Sequence, residues 1–265
     1  MLIFLKLGGS LITDKRVAGQ FHAETVQRAA QEIATACRDN PDLQLVIGHG
    51  SGSFGHVAAQ KYGTANGVYT AKDWHGFAEV ATAARALNAL VMEALHAAAL
   101  PVFGIQPSAS AECHNGNLRK LTLTPVRAAL DHGLIPVVYG DVALDDVRGA
   151  AIVSTEALFF YLAEYFRPAR ILLLGEVEGV YDVAGAIIPR ITPHTLEQVA
   201  GVLGGSHGTD VTGGMAGKVR TMLALVERNP GLRIGICGGT SPGQVTRCLT
   251  AVLDDELPGT ILCSD

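Results

Sequence analysis

Three glycine-rich turns carry the residues whose types and spacing suit chemistry. The first is Lys6-Leu7-Gly8-Gly9-Ser10, at the end of an apolar N-terminal run. The second is Gly48-His49-Gly50-Ser51-Gly52-Ser53-Phe54-Gly55-His56, directly after "LQLVI". The third is Asp210-Val-Thr-Gly213-Gly214-Met-Ala-Gly217-Lys218, ahead of a helical pattern. Glycines let a backbone approach a ligand closely and turn its N–H groups onto an anion. A lysine ending a buried strand is poorly explained as core, because an unpaired buried ammonium is costly. Together with Lys15, at the far side of the first loop, Lys6 and Lys218 predict one polyanion site shared by the three turns. The alternative is three tight loops with solvated lysines.

More specific spellings fail. Gly50 to Gly55 reads G-x-G-x-x-G, but a dinucleotide fold places that run on its first strand. It also requires an acid closing a second strand about 20 residues later. Here the run follows the second strand, and Asp73 lies in "YTAKDWHGF", which is no strand. Neither Ser51 nor Ser53 sits in G-x-S-x-G, so a hydrolase elbow is excluded. "DVTGGMAGK" is too short for a P-loop and has Val219 where Ser or Thr is required. What survives is a strand, a glycine turn and a helix N-terminus, a general anion site. His56, in the first turns of that helix, is either structural or a donor of a charge-assisted hydrogen bond to the anion.

Short apolar runs alternate with longer helical patterns. The runs predict strands over 2–6, 43–48, 101–105, 134–139, 170–174, 232–237 and 260–263. Helices are expected at about 22–38, 53–61, 74–98, 124–132, 155–165, 193–202, 215–228 and 242–253. Strands apolar on both faces and separated by helices imply an α/β fold, with a largely parallel sheet covered on both sides. Segment 140–154 reads as a hairpin that divides one compact domain, 1–265, into two lobes.

Composition narrows the function. The net charge of −5, without a basic tail, argues against a nucleic-acid partner. The five cysteines are scattered and form no metal motif, a usage that fits reduced thiols in a cytoplasm. No apolar stretch approaches the roughly 20 residues that span a bilayer, so no membrane partner is expected.

The order of K-x-G-G-S, the glycine turn after the second strand, "GEVEGVYD" (175–182) and "DVTGGMAGK" (210–218) resembles the amino acid kinase superfamily along essentially the whole chain. Within it, "ITDK" (12–15) and "GSFGH" (52–56) resemble the isopentenyl phosphate kinases, whose second turn ends in histidine. The resemblance implies a three-layer αβα sandwich, an acceptor-phosphate lobe over about 1–150 and a nucleotide lobe over about 151–265. It implies ATP-dependent phosphorylation of isopentenyl phosphate to the diphosphate, with Mg²⁺ on the ATP, no protein ligand to the metal named, and a homodimer. Lys6, Gly8, Gly9 and Ser10 would contact the ATP phosphates. Lys15 would bridge toward the transferring phosphoryl group, and Lys218 would reach the terminal phosphates. Ser51, Glu176, Tyr181, Asp182 and Gly214 would frame the nucleotide. Gly50, Gly55 and His56 would hold the acceptor phosphate, with Ser154 and Glu156 beside them.

Two departures stand out. Ser51 replaces a family glycine, which asks that position for an ordinary backbone conformation. Ser154-Thr155-Glu156 stands where many relatives have aspartate, and Ser154 or Thr155 would equally serve as a helix cap. The chemistry is coherent, since a phosphate monoester has its second pKa at about 6 and is already an anionic nucleophile at neutral pH. The demand is then to hold two polyanions in line. Trp74 and Phe77 are the candidate wall for the alkyl tail, although that helix's apolar stripe also suits ordinary core. Rivals are a kinase of another phosphate or phosphonate such as fosfomycin, a Rossmann-type oxidoreductase, and a non-catalytic anion-binding protein.

Overall fold

The computed structural model describes residues 1–14, 16–197, 214–251 and 256–264. Strand β1 (Leu2–Leu7) is apolar on both faces and becomes the hub of an eight-stranded sheet. β2 (Gln44–His49) pairs with it in parallel on one side, and β9 (Arg170–Gly175) does so on the other. β6 (Ile135–Tyr139) and β3 (Val102–Gly104) extend the sheet beyond β2. β11 (Arg233–Gly238), β12 (Thr260–Leu262) and β10 (Arg190–Ile191) extend it beyond β9. β12 runs antiparallel to β11, and β10 follows β12, so these two outer strands oppose the rest.

The period of two along β1 sorts its side chains to two cores. Phe4 joins one buried cluster, while Ile3, Leu5 and Leu7 join the other. The second cluster is covered by α2 (Ala23–Asp39) and α4 (Ala71–Ala97), whose buried stripes repeat at helical spacing. α5 (Thr124–Asp131), α6 (Thr155–Phe166) and α7 (Gly214–Arg228) cover the first. The result is the expected three-layer αβα sandwich. Short helices α1 (Gly9–Ile12), α3 (Gly52–Tyr62) and α8 (Gln244–Thr250) complete it.

The expected hairpin at 140–154 forms as β7 (Asp141–Asp145) and β8 (Gly149–Val153). It joins a second hairpin that the sequence reading passed over, β4 (Glu112–His114) and β5 (Asn117–Lys120), in a four-stranded sheet. The missed signal is Asn115-Gly116, with φ of 48° and 84°, the pair that a tight hairpin turn favours. α4 starts three residues earlier than expected, because Thr70 and Asp73 form a reciprocal capping box ahead of it. The second half of the expected helix over 193–202 lies outside the described residues.

The two halves of the sheet meet at β1, where chain connections leave in opposite directions, and the crevice there is the usual ligand site of an open parallel sheet. Close approach at this point depends on Gly48. A Cβ on it would sit 2.5 Å from Thr155 Cγ2 and 2.7 Å from Phe159 Cζ, both on α6. Gly48→Ala is therefore expected to cost about 1–3 kcal/mol by overpacking, measured by urea unfolding. Unchanged stability would mean that α6 is free to back away.

Candidate active site

Four helices begin around one cavity of about 360 Å³ at the carboxyl ends of β1 and β2, and Gly9, Gly52, Thr155 and Gly214, their first residues, line it. Helix N-termini present unpaired N–H groups and partial positive charge, so their convergence favours an anion. Gly8, Ser10, Gly50 and Ser51 complete the glycine wall. The backbones of the first two turns touch: a Cβ on Gly9 would lie 3.0 Å from both Gly52 N and Gly52 Cα. Ser51, with φ −74° and ψ −7°, has the ordinary backbone that its side chain requires.

Lys6 and Lys218 both line this cavity. Lys6 is only 7 % exposed, and its ammonium is bonded to the Glu156 carboxylate at the start of α6. Burial opposes ionisation of Glu156, but the charges of Lys6 and then Lys218 outweigh it and hold the carboxyl below its ordinary range. Glu156 lines the cavity with the lysines and does not reach the smaller cavity described next. Its place is therefore between two cations. Lys15 lies outside the described residues.

A second cavity of about 280 Å³ adjoins the first, and Ser51, His56, Gly140, Ile152, Ser154 and Ala157 border both. Gly55 lines only this smaller one, whose apolar wall is Ala59, Val80 and Ile152. Ser154 is both wall and cap, its hydroxyl oxygen accepting the Ala157 N–H at 3.1 Å. The wall also draws on Ala151, Ser154 and Ala157, beyond the boundary expected near residue 150. Trp74 does not line it: the indole packs beside Gly149 in the β7–β8 turn, and Val80, further along α4, lines the cavity instead. Phe77 packs behind Val80 in the small cluster with Ala59 and Val142.

Several lining residues carried no sequence signal. Asn117 and Thr221 reach the larger cavity, and Asp141 and Arg148 reach the smaller. Burial pushes the Asp141 carboxyl up, against hydrogen bonds from the N–H groups of Ser108 and Val142. Asp145 ties the two hairpin turns together by accepting the N–H groups of Asn115, Gly116, Val147 and Arg148. Glu176, Tyr181 and Asp182, expected beside the nucleotide, line neither cavity. Tyr181 bridges to Ile187, and the Asp182 carboxylate is occupied by the N–H groups of Ala184 and Ala186. Among the described residues, no cluster of three or more His, Cys, Asp or Glu side chains has metal-site geometry, and no helix is long and apolar enough to cross a membrane.

Comparison with known proteins agrees with this architecture. A family model described as "Amino acid kinase family" matches residues 1–235. The chain is 34 % identical to an isopentenyl phosphate kinase of Methanothermobacter thermautotrophicus, with 98 % of each chain covered. It is 39 % identical to one from Haloferax volcanii, over 93 % of this chain and 98 % of that one. Among solved structures, an isopentenyl phosphate kinase that is 31 % identical superposes with a TM-score of 0.81 over 98 % of this chain and all of the other.

The buried ion pair makes a checkable demand. With its folded pKa below the ordinary glutamate value, Glu156 contributes stability above about pH 4.5, and that stability is lost as pH falls through the lower folded value. Glu156→Gln is expected to cost about 3 kcal/mol at pH 7, because Lys6 is left buried without its counter-charge. In urea unfolding across pH, the gap between wild type and variant should close toward acid. A gap independent of pH would show that the carboxylate charge is not what stabilises the fold.

Proposed function

The chain belongs to the amino acid kinase family and is a phosphotransferase; from that premise we propose that it transfers the terminal phosphoryl group of ATP to isopentenyl phosphate, forming isopentenyl diphosphate. One observation carries the reading: a glycine- and lysine-lined cavity adjoins a smaller cavity with an apolar wall, and His56 lines both. The larger cavity takes the triphosphate, with Lys6 and Lys218 against its terminal groups and the Gly8, Gly9 and Ser10 backbone beneath. The smaller cavity takes the acceptor, its phosphate toward Gly55 and His56 and its branched tail toward Val80 and Ile152.

In this reading an acceptor phosphate oxygen attacks the γ-phosphorus, the new P–O bond forms, the β,γ-bridge bond breaks, and ADP leaves. The acceptor is already anionic at neutral pH, so no general base is required. The protein's work is to bring two anions into line and offset the charge that gathers between them. Glu156 holds Lys6 in place and keeps the pair of lysines from repelling each other. Lys15 is assigned to the transferring group from its position in "ITDK". Mg²⁺ carried on the nucleotide phosphates supplies further charge neutralisation. The same reading assigns residues up to about 150 chiefly to the acceptor lobe and the remainder to the nucleotide lobe. It takes the protein as a cytoplasmic homodimer, a location supported by five cysteines that form no disulfide.

Purified protein with ATP and a panel of monophosphate and phosphonate acceptors tests the proposal directly. Turnover of isopentenyl phosphate above the other acceptors is expected; preference for a phosphonate, or no turnover of isopentenyl phosphate, would overturn it. His56→Ala is expected to lower kcat/KM about 30-fold, the loss of roughly 2 kcal/mol that accompanies a hydrogen bond to a charged group. An unchanged value would make His56 structural.

A further inference from the structure

His49 ends β2 and is fully buried, yet it is polar and belongs to neither cavity wall. Its imidazole stacks on Tyr139 of β6, with centroids 5.5 Å apart and planes 10° from parallel. Nδ1 lies 3.0 Å from the Gly50 carbonyl oxygen, and Nε2 lies 3.0 Å from the side-chain Oδ1 of Asn88 on α4. Its own carbonyl accepts the Gly140 N–H at 2.9 Å and the Thr155 hydroxyl at 2.6 Å. One residue thus joins the glycine turn to α4, β6 and the first residue of α6.

Burial, with Lys6 nearby, disfavours a proton on both ring nitrogens. The Gly50 carbonyl can only accept, so the neutral ring carries its proton on Nδ1, and Nε2 is satisfied once the Asn88 amide is flipped by 180° to place its NH2 where Oδ1 stands. The consequence lies in the next peptide. In a planar trans peptide the C=O and N–H point in opposite directions. Holding the Gly50 carbonyl on the core side turns the Ser51 N–H away from the core. Ser51 borders both cavities, and its N–H donates to no protein acceptor among the described residues.

We propose that His49 is a positioning residue for the acceptor phosphate, fixing the Gly50–Ser51 peptide so that the Ser51 N–H faces the joint between the two cavities. Asn88 completes the device by holding the ring, which links the orientation of the turn to α4, the helix that supplies Val80 to the acceptor wall. This rests on the reading that the second turn holds the acceptor phosphate.

The test compares wild type with His49→Leu, His49→Asn and Asn88→Leu, measuring KM for isopentenyl phosphate, KM for ATP, kcat and Tm. Asparagine keeps an amide N–H close to the position of Nδ1. His49→Leu should raise the acceptor KM at least about tenfold with the ATP KM within about twofold, and His49→Asn should recover most of that loss. Asn88→Leu should fall between, and it decides the matter if His49→Leu does not fold. A fall in Tm with both KM values unchanged, or rising together, would overturn the proposal. Should wild type reject isopentenyl phosphate, the functional reading fails separately. The peptide is then read from the Ser51 amide resonance during titration with methyl phosphate. A shift in wild type that is lost in His49→Leu supports the proposal; no shift, or one that both proteins share, overturns it.

Discussion

The Lys6 ammonium and the Glu156 carboxylate come from points 150 residues apart and meet at the floor of the larger cavity. Neither charge would be tolerated alone at that depth, because an isolated buried ion loses its hydration without return. Their pairing fixes the N-terminus of α6 against the end of β1, and Thr155 adds a second latch onto the carbonyl of His49. The remaining parts of the site are arranged about this join. A polyanion entering the cavity meets a lysine that is already held, so little ordering remains to be done on binding.

The glycines serve the same end from the backbone side. Gly52 has φ +50°, and a Cβ on it would lie 2.3 Å from the Thr13 hydroxyl. That position and Gly9 allow the first two turns to lie backbone to backbone, so two helix N-termini point into one space. A site made of amides and fixed dipoles needs few charged side chains, which reconciles an acidic protein with a polyanionic ligand.

Much of this was legible in the chain. The apolar runs located the seven expected strands to within about two residues of their observed ends, because a strand buried on both faces leaves a continuous apolar signature. Lys6 stood out because its burial needed a partner, but the spacing did not say which carboxylate answered it. The β4–β5 hairpin was missed despite Asn115-Gly116, since its short, exposed strands carry little hydrophobic pattern. The residue of α4 that borders the smaller cavity is Val80, while Trp74, the sequence candidate, packs elsewhere. Amphipathic spacing names a helical face, while the exact residue that meets a cavity depends on how the hairpin packs across it.

Local chemistry along the chain was enough to specify a parallel α/β fold and to single out the glycine-rich turns and the lysines and histidine that accompany them. Those are properties of residue type and near spacing, which short-range sterics and burial preference dictate. The pairing of Lys6 with Glu156, the His49 bridge between Gly50 and Asn88, and the wall shared by the two cavities arose only in the folded molecule. Each joins residues far apart in sequence, and such contacts are set by sheet order and packing, which no local pattern encodes.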